Sequence, residues 1–223
     1  MDQTPFQLEI DQNAPTAERI LQIATGYFAR LGYYGASVRD IAREIGLSVA
    51  TLYYYIESKD TLYRRVFERQ YIEEYELVAN IIQKADEQVV HDPQLLRELL
   101  LNLVDALIDR AVQNPDIVRL WTRRWLEKPL ETEDIEAEYS APLYQMCDDL
   151  LKQAEQAGTI RPAGDYINLL THSVTWLLYG YCGFGRLSFE ARFKNPYDPE
   201  AVKAFRAFMH TLVSKMLCFS DQD

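Results

Sequence analysis

With 223 residues, 48% of them hydrophobic and 26% charged, the chain is long enough for one large domain or for a small module joined to a larger one. Three widely spaced cysteines (Cys147, Cys182, Cys218) without CxxC or CxxH spacing argue against a disulfide framework or a zinc site and fit a reducing cytoplasm. The net charge of −11 speaks against nucleic acid only as a total: residues 16–71 carry eight Lys/Arg against six Asp/Glu, and local potential steers binding more than the sum does.

In chain order, helix signals dominate. Residues 1–15, punctuated by Pro5, Asp11 and Pro15, read as a flexible acidic arm with no apparent secretory signal. Thr16 is expected to cap a first helix in which Ile20, Ile23, Ala24, Phe28 and Leu31 recur at helical spacing and Gly32 ends the run. The stretch SVRD, 37–40, reads as a capping box, with Ser37 capping and Asp40 reaching back. Val38, Ile41, Ala42 and Ile45 then line one face of a short helix stopped by Gly46. Ser48 can cap the next helix, 49–55, and Ser58 a longer connecting helix from about 59 to about 84. "DP" at 92–93 and 198–199 sets an aspartate before a proline at a first helical position. Further helices are expected near 93–113, 115–128, 132–157, 165–184 and 199–218, broken by GTIRPAG (158–164) and by a loop, RFKNPYDP (192–199). The fold class is all-α: an N-terminal three-helix helix-turn-helix domain over 16–63 and a larger helical domain over 85–223. The longest apolar stretch, in 166–185, is interrupted by Asn168, Thr171, His172, Ser173 and Thr175, which favours a buried soluble helix over a membrane span.

Helix, short turn with Gly46, helix is the helix-turn-helix arrangement. If Val38, Ile41, Ala42 and Ile45 pack inward with Leu47 and Leu52, the second helix turns Ala50, Thr51, Tyr53 and Tyr54 outward. Three consecutive tyrosines, 53–55, point about 100° apart on a helix and cannot share one core face. Small residues at 50 and 51 let a backbone approach base edges, Thr51 can bond one, and a tyrosine hydroxyl can bond a phosphate without adding charge. Ser37 and Ser48 set hydroxyls at helix N-termini that favour a phosphate, and Lys59 adds a point charge. The same serines would serve as caps alone, one of the tyrosines as core packing, and such geometry also occurs in proteins that never meet DNA.

Residues 16–63 closely resemble the N-terminal domain of the TetR family of transcriptional regulators. The landmarks are Ala24, Phe28 and Gly32 in the first helix, the SVRDIAREIGLS run at 37–48, and the TLYYYIESKDTL run at 51–62. Tyr55 stands where the family often has His, and Ile56 where it usually has Phe. The resemblance implies a DNA-binding homodimer, usually a repressor, whose helical C-terminal domain binds a small-molecule effector. By position it implies a DNA-contacting set of Ser37, Arg39, Ser48, Ala50, Thr51, Tyr53, Tyr54, Tyr55 and Lys59, with Thr51 and Tyr53 on bases and Tyr54, Tyr55 and Lys59 on phosphates.

In the last helix Val202, Phe205, Met209, Leu212 and Met216 recur at heptad spacing, a seam for another helix of the same chain or of a second subunit. The 165–184 helix is apolar nearly all round and so expected to be buried on several sides. An effector pocket is expected from Trp121, Trp125, Tyr144, His172, Trp176 and Tyr179, which would serve equally as core. Arg119 and Arg123, one turn apart, could meet an anionic effector or form a solvated face. The reading is therefore a cytoplasmic, non-enzymatic regulator of a palindromic duplex operator, with no cofactor, metal, catalytic residue or membrane partner. A helical enzyme on hydrophobic or aromatic compounds, or a helical protein–protein adaptor, remain the alternatives.

Overall fold

The computed structural model describes residues 15–86, 88–127, 129, 132, 134–162, 166–187 and 193–220. The expected arm over 1–15 thus lies, apart from Pro15, outside the described residues. The helices are α1 (Thr16–Gly35), α2 (Val38–Ile45), α3 (Val49–Ile56), α4 (Lys59–Gln83), α5 (Pro93–Gln113), α6 (Pro115–Glu127), α7 (Ala141–Gln156), α8 (Ile167–Phe184) and α9 (Pro199–Leu217). They form two compact units, one within 1–70 and 116–135, the other within 71–115 and 136–223. The division expected from sequence, with everything beyond 85 in one body, differs: α6 clusters with the N-terminal helices. Among the described residues no helix is long and apolar enough to cross a membrane.

In the first unit α2 packs on α1 and α3 on α2. Ile20, Ile23, Ala24 and Phe28 of α1 are buried, as are Ile41, Ala42 and Ile45 of α2 and Leu52 and Ile56 of α3; Leu31 stays exposed beside the break at Gly32. Three expected caps are not made: Asp198 precedes α9 without a side-chain cap bond and accepts from Asn195 Nδ2 instead. Pro15, not Thr16, precedes α1, and its carbonyl accepts from Arg19 N–H at 3.1 Å, a backbone closure that needs no side chain. Ser37 precedes α2 without a side-chain cap bond, and Asp40 pairs with Arg43 instead of reaching back. The other caps form: Ser48 Oγ accepts from Thr51 N–H and Ser58 Oγ from Thr61 N–H, each at 3.0 Å.

The second unit packs α5 against α8 and α9, and α7 against α8. Asp92 caps α5, its Oδ1 accepting from Gln94 N–H at 2.8 Å and Leu95 N–H at 3.0 Å. The helix expected over 132–157 begins later: a π-helical turn, Glu136–Ser140, leads into α7, with Pro142 in the first turn where a missing N–H costs nothing. The expected loop after α8 contains a strand, Phe193–Lys194 (β2), antiparallel to Arg186–Leu187 (β1). In α9 Phe205, Met209, Val213 and Leu217 form the buried face. The sequence seam is therefore partly the protomer's own core: Met209 is fully buried, Phe205 is buried but borders an apolar groove beside α8, and Val202, Leu212 and Met216 are half-buried. A heptad pattern marks an apolar face but not its partner.

Two substitutions separate a capping from a packing contribution. Asp92→Ala should cost about 1 kcal/mol through the lost cap. Met209→Ala should cost about 2–5 kcal/mol through a buried void. Urea unfolding of each variant measures both, and the reverse order would contradict the burial assignment.

Candidate nucleic-acid interface and effector cavity

The turn between α2 and α3 is fixed by Gly46, at φ 80° and ψ 26°. Leu47 N–H reaches Ala42 O at 2.9 Å and Gly46 N–H reaches Arg43 O at 3.1 Å, the paired closure that a left-handed residue permits. The turn aims α3 so that Leu52 and Ile56, one turn apart, enter the core. The opposite face is bare: Ala50 and Thr51 are exposed, Tyr53 is 43% exposed and Tyr54 86%. Tyr55 is half-buried, its ring edge-on to Tyr54 at 5.7 Å between centroids. Thr51 Oγ1 lies 2.7 Å from Ser48 Oγ, and a hydroxyl in one such bond keeps capacity for another.

Most of the basic residues of this unit are committed internally. Arg69 pairs with Glu18 at 2.7 Å, Arg30 with Asp116 at 3.4 Å, Arg64 with Asp134, and Arg65 donates to Tyr55 O at 2.6 Å. Arg39 is exposed on α2 with no hydrogen bond or ion pair among the described residues. Lys59 Nζ sits 4.5 Å from the centroid of the Tyr33 ring, and burial lowers its pKa below the ordinary lysine value. Arg39 is thus the freer cation of the expected contact set.

The end of α1 is held by α6. Arg123 donates to the carbonyls of Ala29 at 3.1 Å and Arg30 at 2.7 Å, while its partner Glu127 accepts Tyr33 N–H at 2.9 Å. Gly32 between them has φ 72° and ψ 179°, and a Cβ there would lie 2.1 Å from Glu127 Oε1. Tyr33 in turn donates its hydroxyl to Asp60 and underlies Lys59. Arg119 pairs with Asp116 at 2.7 Å, so neither Arg119 nor Arg123 of the RLWTRRW stretch is poised for an anionic effector. Arg124, which sequence reasoning passed over, is fully buried and donates to Thr132 Oγ1 at 2.9 Å.

The six aromatics of the expected pocket are divided between the two units, and Tyr144, His172 and Trp176 form a run of ring contacts in the second. Trp121 packs edge-on against Phe67 in the first unit, at 4.7 Å between centroids, and Trp125 lies on the same helix. His172 stacks on Tyr144 at 4.0 Å, and Trp176 is 49% exposed. Aromatic type alone does not say which unit a side chain faces. A cavity of about 90 Å³ does exist in the second unit, walled by aliphatic side chains of α4, α5, α7, α8 and α9. Of the six aromatics only Tyr144 lines it, together with Glu74, Cys147, Thr171 and Thr175. Tyr179 reaches it indirectly, donating to Glu74 Oε2 at 3.2 Å. Burial pushes the Cys147 thiol up to about 12, which removes it as a nucleophile.

The glycine-turned pair α2 and α3, presenting a small-residue and tyrosine face, has the helix-turn-helix arrangement. Residues 20–66 match the family model of the bacterial regulatory proteins, tetR family. No curated protein matches it. Solved structures with the same fold include a bacterial regulatory protein in the tetR family from Rhodococcus RHA1, 18% identical, covering 94% of this chain and all of that one, 100%, at a TM-score of 0.69. The ketosteroid transcriptional regulator KstR2 of Mycobacterium tuberculosis is 18% identical, covering 95% and 99% of the two chains, TM-score 0.66. The fatty acid degradation regulator FadR from Bacillus halodurans is 16% identical, covering 91% and 96%, TM-score 0.65.

Gly32→Ala should destabilise the protein by about 1–3 kcal/mol, because that backbone region is open to glycine alone. Adding Glu127→Ala should not restore stability, since it removes the crowding but not the positive φ. Thermal unfolding of the single and double variants checks this, and full rescue would show that contact, not backbone conformation, sets the cost.

Proposed function

We propose that this chain is a homodimeric, cytoplasmic repressor that reads a palindromic DNA operator through α3 and is released by a small hydrophobic or aromatic effector. The observation that carries the reading is the outward face of α3: Ala50, Thr51, Tyr53 and Tyr54 stand bare on a helix whose other side is anchored by Leu52 and Ile56. Thr51 and Tyr53 meet base edges; Tyr54, Tyr55 and Lys59 meet phosphates, with the hydroxyls of Ser37 and Ser48 and the Arg39 guanidinium alongside. Ala50 leaves room for the backbone to approach the groove. In the operator-bound dimer the two α3 helices lie roughly 34–36 Å apart, one turn of duplex. Effector in the second unit favours another spacing, and coupling of about 1–3 kcal/mol suffices to lower operator affinity.

The dimer contact is proposed on the bare apolar face of α8 and α9. Leu169, Trp176, Leu177, Phe184 and Phe208 are exposed, and Trp176, Leu177, Tyr181 and Phe208 border an apolar groove of about 430 Å³. Gly180 in that groove has open space where a Cβ would stand, so a facing helix can approach its backbone. This revises the sequence seam: Leu212 and Met216 can still contribute at its margin, whereas Met209 does not.

Operator binding should respond differently to three variants in a gel-shift titration. Tyr54→Ala weakens all duplexes alike, by about 1 kcal/mol for one lost phosphate bond. Thr51→Ala relaxes base preference with little loss on random duplex, and Arg39→Ala lowers the slope of log affinity against log salt by about one. Unchanged affinity in all three would remove the assignment.

Phe208→Glu should yield a folded monomer in sedimentation, with far-UV circular dichroism unchanged because the ring is exposed in the protomer. Persistence of a dimer would place the contact elsewhere.

A further inference from the structure

The cavity in the second unit combines two features that together select an occupant. Its walls are hydrocarbon, supplied by Val78, Leu103, Val104, Leu170 and Val174 among others, so a ligand with several polar groups would lose their hydration without replacement. One carboxyl, Glu74, is set into this wall from α4. Its Oε2 accepts from Tyr179, and its Oε1 has no hydrogen-bond partner among the described residues. Tyr144, Thr171 and Thr175 bring hydroxyls to the same cavity.

We propose that this cavity binds a small lipophilic amine, with its nitrogen donating to Glu74 Oε1 and its hydrocarbon against the leucine and valine walls. An open carboxylate oxygen in a low-dielectric wall is an acceptor that gains most from a charged donor. A ligand carboxylate would instead set two like charges together where solvent cannot separate them. Burial pushes the Glu74 carboxyl above the usual carboxylate range, opposed by Arg110 and by the Tyr179 hydrogen bond. Arg110 does not line the cavity; it lies 3.5 Å from Glu73 and also acts on Glu74 electrostatically. At about 90 Å³ the cavity is smaller than the roughly 150 Å³ void that takes up benzene, so an occupant of about five carbons fits with modest yielding of the walls.

The proposal rests on the effector reading above only for its consequence on DNA; binding itself is measured without DNA. Isothermal titration or NMR shift titration of the full chain at neutral pH would compare pentylamine, pentanol and pentanoate. Pentylamine should bind about ten-fold tighter than pentanol or better, the scale of a charge-assisted hydrogen bond, and pentanoate should not bind detectably. Glu74→Gln, which can still accept from Tyr179, should bring amine and alcohol to equal affinity. Val174→Phe should abolish both by filling the space. The proposal is overturned if pentanol or pentanoate matches the amine, if none of the three binds at millimolar concentration, or if Glu74→Gln keeps the amine preference. Operator affinity with saturating pentylamine is read separately: amine binding that leaves it unchanged supports the ligand assignment and counts against release.

Discussion

The burial of Leu52 and Ile56 is the constraint on which the rest depends. Eight residues of α3 make just over two turns, too little to hold a helix in water by its own hydrogen bonds. Two aliphatic side chains one turn apart, held against α2 beyond the left-handed Gly46, fix both its axis and its rotation. Once that rotation is set, the outward direction of residues 50, 51, 53 and 54 follows from 3.6 residues per turn. Rotating α3 by one residue would bury a tyrosine and expose a leucine, so core packing and the display of the tyrosines are one requirement.

The acidity of the chain acquires a physical meaning in this setting. Six of the eight basic residues in 16–71 are tied to carboxylates or carbonyls of their own unit, and Lys59 rests on an aromatic ring. The outward face of α3 therefore offers mainly hydroxyl groups, and the freer charge, Arg39, stands on α2. Such a surface discriminates by hydrogen-bond geometry more than by attraction to any polyanion. The clamp from Arg123 and Glu127 onto the end of α1 serves the same unit, since it holds Tyr33 under Lys59 and against Asp60. The Arg123 guanidinium of α6, paired with Glu127, thus becomes a helix cap, and its neighbour Arg124 a buried anchor for Thr132.

The helices of the first unit were legible because their signals are local. Glycines at 32 and 46, serines at 48 and 58, and apolar spacing of three and four each act within a turn of the chain. The reciprocal half of the capping box at 37–40 is absent because Asp40 has a competing partner, Arg43, on the same short helix. What sequence could not supply was the choice among partners far apart in the chain. Trp121 meets Phe67, Arg123 meets Ala29, and Met209 lies in the protomer core; each side chain has the composition of a pocket or interface residue. Glu74 was invisible for the converse reason. One acid among several on a long helix carries no pattern, and only the aliphatic walls brought round it by four other helices single it out. The exposed face of α8 was concealed in the same way, since an apolar run does not reveal which of its sides is covered.

The central claim, that the bare face of α3 lodges against duplex DNA, is tested most directly by site-resolved tyrosine nitration. The full chain would be treated with tetranitromethane alone and with excess duplex DNA at low and high salt, and modification read by peptide mass spectrometry. Tyr53 and Tyr54 should be modified in the free protein, protected by DNA at low salt and reactive again at high salt, while exposed Tyr166 in the second unit reacts throughout. Bound DNA with Tyr53 and Tyr54 as reactive as in the free chain would contradict the account.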